Sequence, residues 1–125
     1  MKRERTFMVV DDSMVFRSRI ARLATDGRLG PVRVVAYAGD GEQALAMARQ
    51  YQPEFITMDL TMPRMEGAEA LAGLRELLPD ARVLVVSALS DRATALKALT
   101  RGAHGFLHKP FSDEQLIDAL RELMA

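Results

Sequence analysis

Five short runs rich in β-branched and aromatic residues alternate along this 125-residue chain with five longer stretches in which apolar residues recur at helical spacing. No repeat, low-complexity segment or linker interrupts them. A strand that returns through a helix to the same sheet pairs in parallel, so this alternation predicts an α/β fold: a doubly wound, five-stranded parallel sheet with five helices on both faces. The first strand, Thr6 to Val10, is apolar after its first residue, as a strand covered on both sides must be, and stops at Asp11-Asp12. Val32 to Ala38 is the second, between Gly30-Pro31 and Gly39-Asp40-Gly41. Glu54 to Asp59, Arg82 to Ser87 and Gly105 to His108 complete the set.

The helical stretches carry their own boundaries. Ser13 is placed to cap the first, whose Phe16, Ile20 and Leu23 form an inward stripe until Asp26-Gly27. The second runs from Glu42 to Tyr51, with Asp40 and Gln43 spaced as a capping box, small residues Ala44 and Ala48 for close packing beside Leu45, and Pro53 as its stop. The third starts near Glu66, turns Leu71, Leu74 and Leu78 inward and ends at Pro79-Asp80. Ser90 or Asp91 caps the fourth, which is expected to bury Ala95, Leu96 and Leu99 and to close at Gly102. Ser112 and Gln115 form a second capping-box pair for the last, with Leu116, Leu120 and Leu123 inward.

The length suits one domain, residues 1–125, with no room for an output domain beside it. Basic and acidic residues balance at 17 each, so no global field favours nucleic acid or an anionic membrane. The absence of cysteine removes disulfides, thiolate metal sites and thiol nucleophiles, and suits the cytoplasm. The apolar run from Phe7 to Val10 is cut off by two acids, far short of a signal core or membrane span. A soluble monomer is expected.

Asp11, Asp12, Asp59, Ser87 and Lys109 all fall at C-terminal ends of expected strands. That lip is where open α/β sheets bind ligands. A lone acid there more often caps a turn; the company of the other four is what gives Asp59 a chemical reading. In the doubly wound order 2-1-3-4-5, the first and fourth strands flank the third. Both acidic loops and Ser87 then converge on Asp59, and the flexible stem of Lys109 reaches back from one strand farther out. Three carboxylates so gathered repel one another unless positive charge compensates. Lys109 and a divalent cation supply it. Oxygen ligands without His or Cys select a hard ion, and so few carboxylates suit Mg²⁺, which keeps several waters, better than Ca²⁺; Mn²⁺ can substitute. A carboxylate facing such an ion, a hydroxyl and an ammonium can accept a phosphoryl group as an acyl phosphate. Asp59 is the in-line nucleophile, Ser87 a hydrogen-bond donor, and Lys109 and the metal offset charge on the equatorial oxygens.

Four segments in this order resemble the response-regulator receiver domains of two-component signalling, and in particular their stand-alone chemotaxis members. They are Asp11-Asp12-Ser13, Asp59-Leu60-Thr61-Met62-Pro63-Arg64-Met65-Glu66-Gly67, Ser87-Ala88 and Lys109-Pro110-Phe111. The resemblance covers essentially the whole chain and implies a flavodoxin-like fold. It implies that Asp59 takes phosphate from a phosphohistidine on a histidine kinase or histidine phosphotransfer protein. By the same resemblance Asp12, Asp59 and the Thr61 carbonyl ligate Mg²⁺ directly, and Asp11 acts mainly through water. Ser87 and Phe106 would form the switch pair, and helix four, strand five and helix five the face that a downstream protein target reads. Such a protein is no conventional enzyme; it catalyses only its own phosphorylation and dephosphorylation.

Phe106 departs from the tyrosine often found at the switch position and lacks a hydroxyl for a partner. Thr61 and Leu89 flank the path of an attacking water, and Leu89 cannot orient one, which predicts slow self-dephosphorylation. Met62 and Met65 flank the site, whereas Met8 and Met58 read as core. His104 and His108 lack a third metal ligand. The Lys109-Pro110 bond is open to both isomers. Two other functions compete. An aspartyl-nucleophile Mg²⁺ phosphohydrolase wants a second acid two residues after Asp59, where Thr61 stands, and a cap segment; a phosphorylation-independent binding module would not need the complete set of polar groups. A nucleotide or flavin carrier would need a Gly-rich loop after the first strand.

Overall fold

The computed structural model describes residues 3–60, 67–88 and 92–125, with backbone alone for 67, 68, 92, 94 and 95. In chain order it contains β1 (Arg5–Val10), α1 (Met14–Ala24), β2 (Val32–Ala38), α2 (Gly41–Tyr51), β3 (Phe55–Met58), α3 (Gly67–Leu77), β4 (Arg82–Ser87), α4 (Arg92–Thr100), β5 (Gly105–His108) and α5 (Asp113–Met124). The strands form one parallel sheet, as the alternation predicts, and their order is the β2-β1-β3-β4-β5 of one doubly wound arrangement. The register between β1 and β2 slips once, after Phe7, where one extra β2 residue is accommodated.

Alternate side chains of the central strands feed two separate cores. Met8, Val10, Ile56, Met58, Val83 and Val85 meet Ala44, Ala48, Leu71, Leu74 and Ala98 on one face of the sheet. Phe7, Val9, Phe55, Leu84 and Val86 meet Ile20, Leu23, Leu116, Ile117, Leu120 and Leu123 on the other. Each fully buried Leu or Ile contributes about 1.5–3 kcal/mol, so the two layers hold the sheet rigid beneath whatever its C-terminal lip carries. Small residues set the spacing: a methyl on Gly73 of α3 would stand 2.8 Å from Leu45 of α2.

Caps end the helices where the sequence places them. The Ser13 hydroxyl accepts the Phe16 N–H, and Ser112 and Gln115 form the reciprocal box. The Asp40–Gln43 pair makes only half of one: Asp40 accepts the Gln43 N–H, but Gln43 Oε1 accepts the N–H of Gly39 rather than that of Asp40. Gly102 ends α4 at φ 106°, a conformation that favours glycine.

The expected inward face of α4 is wrong. Leu96 and Leu99 are 56% and 43% exposed, and Ala98 is buried instead. With Ala93, Ala95, Leu96, Ala98 and Leu99 all apolar, periodicity alone does not orient this helix. Packing does, by seating the small Ala98 side against the sheet. The expected cap at Ser90 or Asp91, the side chain of Ala95, and Met62 and Met65 lie outside the described residues.

Candidate functional site

The lip of the sheet is built by continuing the strand ladder one bond beyond three strand ends. Asp11 donates its backbone N–H to Ala38 O, Asp59 to Val10 O and Lys109 to Ser87 O, each at 2.9 Å. Each functional residue is therefore pinned level with the end of the neighbouring strand, which fixes where its side chain begins. Asp11, Asp59 and Lys109 are buried, while Asp12 faces solvent.

Lys109 ties the loops together. Its ammonium donates to Asp11 Oδ2 at 2.7 Å and to Asp59 Oδ2 at 3.2 Å, joining positions 98 and 50 residues away in sequence. These are charge-assisted bonds in a site from which water is largely removed. Asp11 spends its other oxygen on the Ser13 N–H at 2.9 Å, and its carbonyl accepts from Arg17 at 2.9 Å. Burial pushes the Asp11 carboxyl above its ordinary value; Lys109 and the Ser13 N–H pull against that shift, and the charge of Asp59 adds to it. On its remaining side the ammonium faces the Phe16 ring, 4.0 Å from the centroid.

Asp11, Asp12 and Asp59 each present a carboxylate oxygen within 4.8 Å of the others. An all-oxygen set with one exposed member fits a hard, partly hydrated divalent cation such as Mg²⁺. Ser87 is buried at the end of β4. Phe106 pairs in register with Val85, two positions before the Ser87–His108 pair, and is half-buried against the Ala98 side of the core. Thr61 and Leu89 lie outside the described residues. The structure thus brings Asp11, Asp12, Asp59 and Lys109 into one cluster, with Ser87 on the adjacent strand end.

Two supports were not anticipated from the sequence. By periodicity Phe16 belongs only to the α1 stripe, and no motif gives Arg17 a partner; a cation's need for a third contact is the one available signal. His104 has a structural task, accepting the Val83 N–H on Nδ1 at 3.1 Å while its own N–H donates to Val83 O. The Lys109-Pro110 bond is cis. Away from the lip, a concavity of about 360 Å³ opens at the opposite end of the sheet beside Arg5, Glu54 and Arg82. Its charges are engaged locally: Arg3 and Arg5 face Glu54, and Arg82 donates to Leu123 O. No helix among the described residues is long and apolar enough to cross a membrane.

Comparison with known proteins places this fold among its relatives. The family model of the response regulator receiver domain matches residues 7–121. The chemotaxis protein CheY of Listeria monocytogenes is 34% identical over 115 residues, which are 92% of this chain and 94% of that protein. A chain in the crystal structure of the CheX-CheY-BeF3-Mg²⁺ complex from Borrelia burgdorferi superposes with a TM-score of 0.90 at 25% identity, covering 97% of this chain and 90% of that one. A response regulator from Burkholderia pseudomallei, crystallised with a phosphorylated aspartic acid, calcium ion and citrate, gives a TM-score of 0.78 at 37% identity, with 93% of this chain and 66% of that one covered.

Proposed function

Because the chain belongs to the response regulator receiver domain family, we propose that it is a phosphorylation-operated switch in which Asp59 accepts a phosphoryl group from a phosphohistidine of a histidine kinase or histidine phosphotransfer protein. The observation that carries this reading is the Lys109 ammonium shared between Asp11 and Asp59 at the lip of the sheet. The phosphorylated aspartic acid of the Burkholderia protein and the BeF3 and Mg²⁺ of the Borrelia complex support it by likeness.

A carboxylate oxygen of Asp59 attacks phosphorus in line; the new O–P bond forms as the N–P bond to the donor imidazole breaks, and the freed imidazole takes up a proton. Lys109 transfers part of its hydrogen bonding from Asp59 to an incoming phosphoryl oxygen. Ser87 donates to another. Asp11, Asp12, Asp59 and the Thr61 carbonyl would hold Mg²⁺, which, when bound, neutralises charge on the phosphoryl oxygens. Phe106 would follow Ser87 inward and change the outer face of α4, β5 and α5. The exposure of Leu96 and Leu99 supports that face as the one a cytoplasmic target protein reads. Leu89, unable to orient water, would prolong the acyl phosphate.

The test is incubation with acetyl phosphate and Mg²⁺ followed by intact-mass analysis. One phosphoryl group is expected on the wild type and none on Asp59→Asn or after EDTA. Equal labelling of Asp59→Asn would overturn the assignment, and catalytic turnover of phosphate esters would instead indicate a phosphohydrolase.

A further inference from the structure

An ammonium has three N–H bonds, and Lys109 gives two of its contacts to Asp11 and Asp59. The face of the Phe16 ring supplies a third, with Nζ 4.0 Å from its centroid. A cation withdrawn from water is drawn to the negative face of a ring. Phe16 is itself held in place. Its ring lies 5.8 Å from that of Phe111, whose own ring carries the Arg19 guanidinium 4.6 Å from its centroid. Arg19 donates at 2.8 Å to both Phe111 O and Asp113 Oδ1, anchoring the row on the first turn of α5. The row Lys109, Phe16, Phe111, Arg19, Asp113 thus runs from the acid cluster to a second helix, and a shift of Phe16 would disturb its tilted ring contact with Phe111.

We propose that Phe16 is a positioning residue: its ring face holds the Lys109 ammonium against Asp11 and Asp59, where phosphoryl oxygens arrive. The proposal rests on phosphoryl acceptance by Asp59. The lysine stem has several rotatable bonds, so an ammonium without the ring would sample positions extended toward solvent, and small misplacements of a charge-bearing group are costly in rate. Leucine at position 16 keeps an apolar side chain but has no π face. Tyrosine keeps the ring.

The chain has three lysines, so the ε-methylene protons of Lys109 are readily assigned by NMR. In the wild type they should be shifted upfield by the ring current of Phe16, an effect lost in Phe16→Leu and kept in Phe16→Tyr. With acetyl phosphate and saturating Mg²⁺, Phe16→Leu should form the acyl phosphate about fivefold more slowly, and Phe16→Tyr within about twofold of wild type. Wild-type ε-methylene protons at ordinary positions would overturn the contact. A wild-type rate in folded Phe16→Leu would overturn the positioning role. Should Phe16→Leu fail to fold, the wild-type shift and the rate of Phe16→Tyr still decide: a lost shift or a fivefold slower Phe16→Tyr counts against the ring. Labelling of Asp59→Asn at the wild-type level would instead remove the parent reading, whatever Phe16 does.

Discussion

Replacing Lys109 by methionine leaves Asp11 and Asp59 buried beside each other without their shared cation. The side chain lost is 9% exposed and donates charge-assisted bonds of 2.7 and 3.2 Å. Removing one partner from a buried ion cluster costs about 3–5 kcal/mol, less than two independent bonds and a repulsion would add to, because the abandoned Asp11 escapes part of the cost by taking up a proton. For a domain of this size that is roughly 10–20 °C in Tm. The escape route gives the prediction its sign with pH. Burial already raises the Asp11 carboxyl above its ordinary value against the pull of Lys109, and without Lys109 it rises further. A carboxyl raised in the folded state binds protons more readily than in the unfolded chain, so its penalty is full above the folded pKa and fades as pH falls through it. Urea unfolding in metal-free buffer at pH 7.5 and pH 5 should therefore show a large Lys109→Met deficit that narrows in acid. Adding Asp59→Asn to Lys109→Met should restore about 1–2 kcal/mol at pH 7.5 by removing the repulsion. A deficit below about 1 kcal/mol at pH 7.5, or one that stays constant with pH, would refute the idea that the ammonium compensates these two acids.

Three further outcomes follow from single residues. Thr57 is buried in β3 and its Oγ1 has no hydrogen-bond partner among the described residues; Thr57→Val should raise stability by about 1 kcal/mol in urea unfolding, and a loss would show that the hydroxyl is satisfied. Burial, with Arg75 and Arg82, holds His104 below its ordinary 6.5, so its contribution is full above the unfolded pKa and lost as pH falls through the folded one. His104→Asn can still accept the Val83 N–H without titrating, so between pH 7.5 and 5 wild type should lose stability relative to it, by an amount that solvent screening of this exposed side chain keeps small, and parallel curves would exclude the effect. If Leu89 denies orientation to the hydrolytic water, Leu89→Glu should shorten the acyl-phosphate lifetime measured after donor removal, and an equal or longer lifetime would contradict that role.

The strand ends were the most legible part of the molecule. Runs such as Phe7 to Val10 and Val83 to Val86 stop at polar residues, and a parallel sheet obliges those residues to share one lip. The α4 face was illegible for an equally physical reason: where five of nine residues are apolar, every side of the helix is a candidate for the sheet, and only packing chooses. The Asp40–Gln43 pair shows the same limit on a smaller scale. Its spacing specifies that a cap forms, but the path of the preceding turn decides that Gln43 Oε1 meets Gly39.

By itself, then, the order of residues determined the α/β class, the parallel pairing, the strand termini and the set of acids, hydroxyl and lysine at one edge, because each follows from local periodicity and from the helical crossovers that parallel strands require. Only the tertiary structure decided which groups share a proton donor and which stand apart. It spread the Lys109 ammonium over Asp11, Asp59 and the Phe16 ring, left Asp12 in solvent, gave His104 to the β4 backbone and turned Leu96 and Leu99 outward. These outcomes depend on distances of a few ångströms between segments far apart in sequence, which the pattern along one chain does not encode.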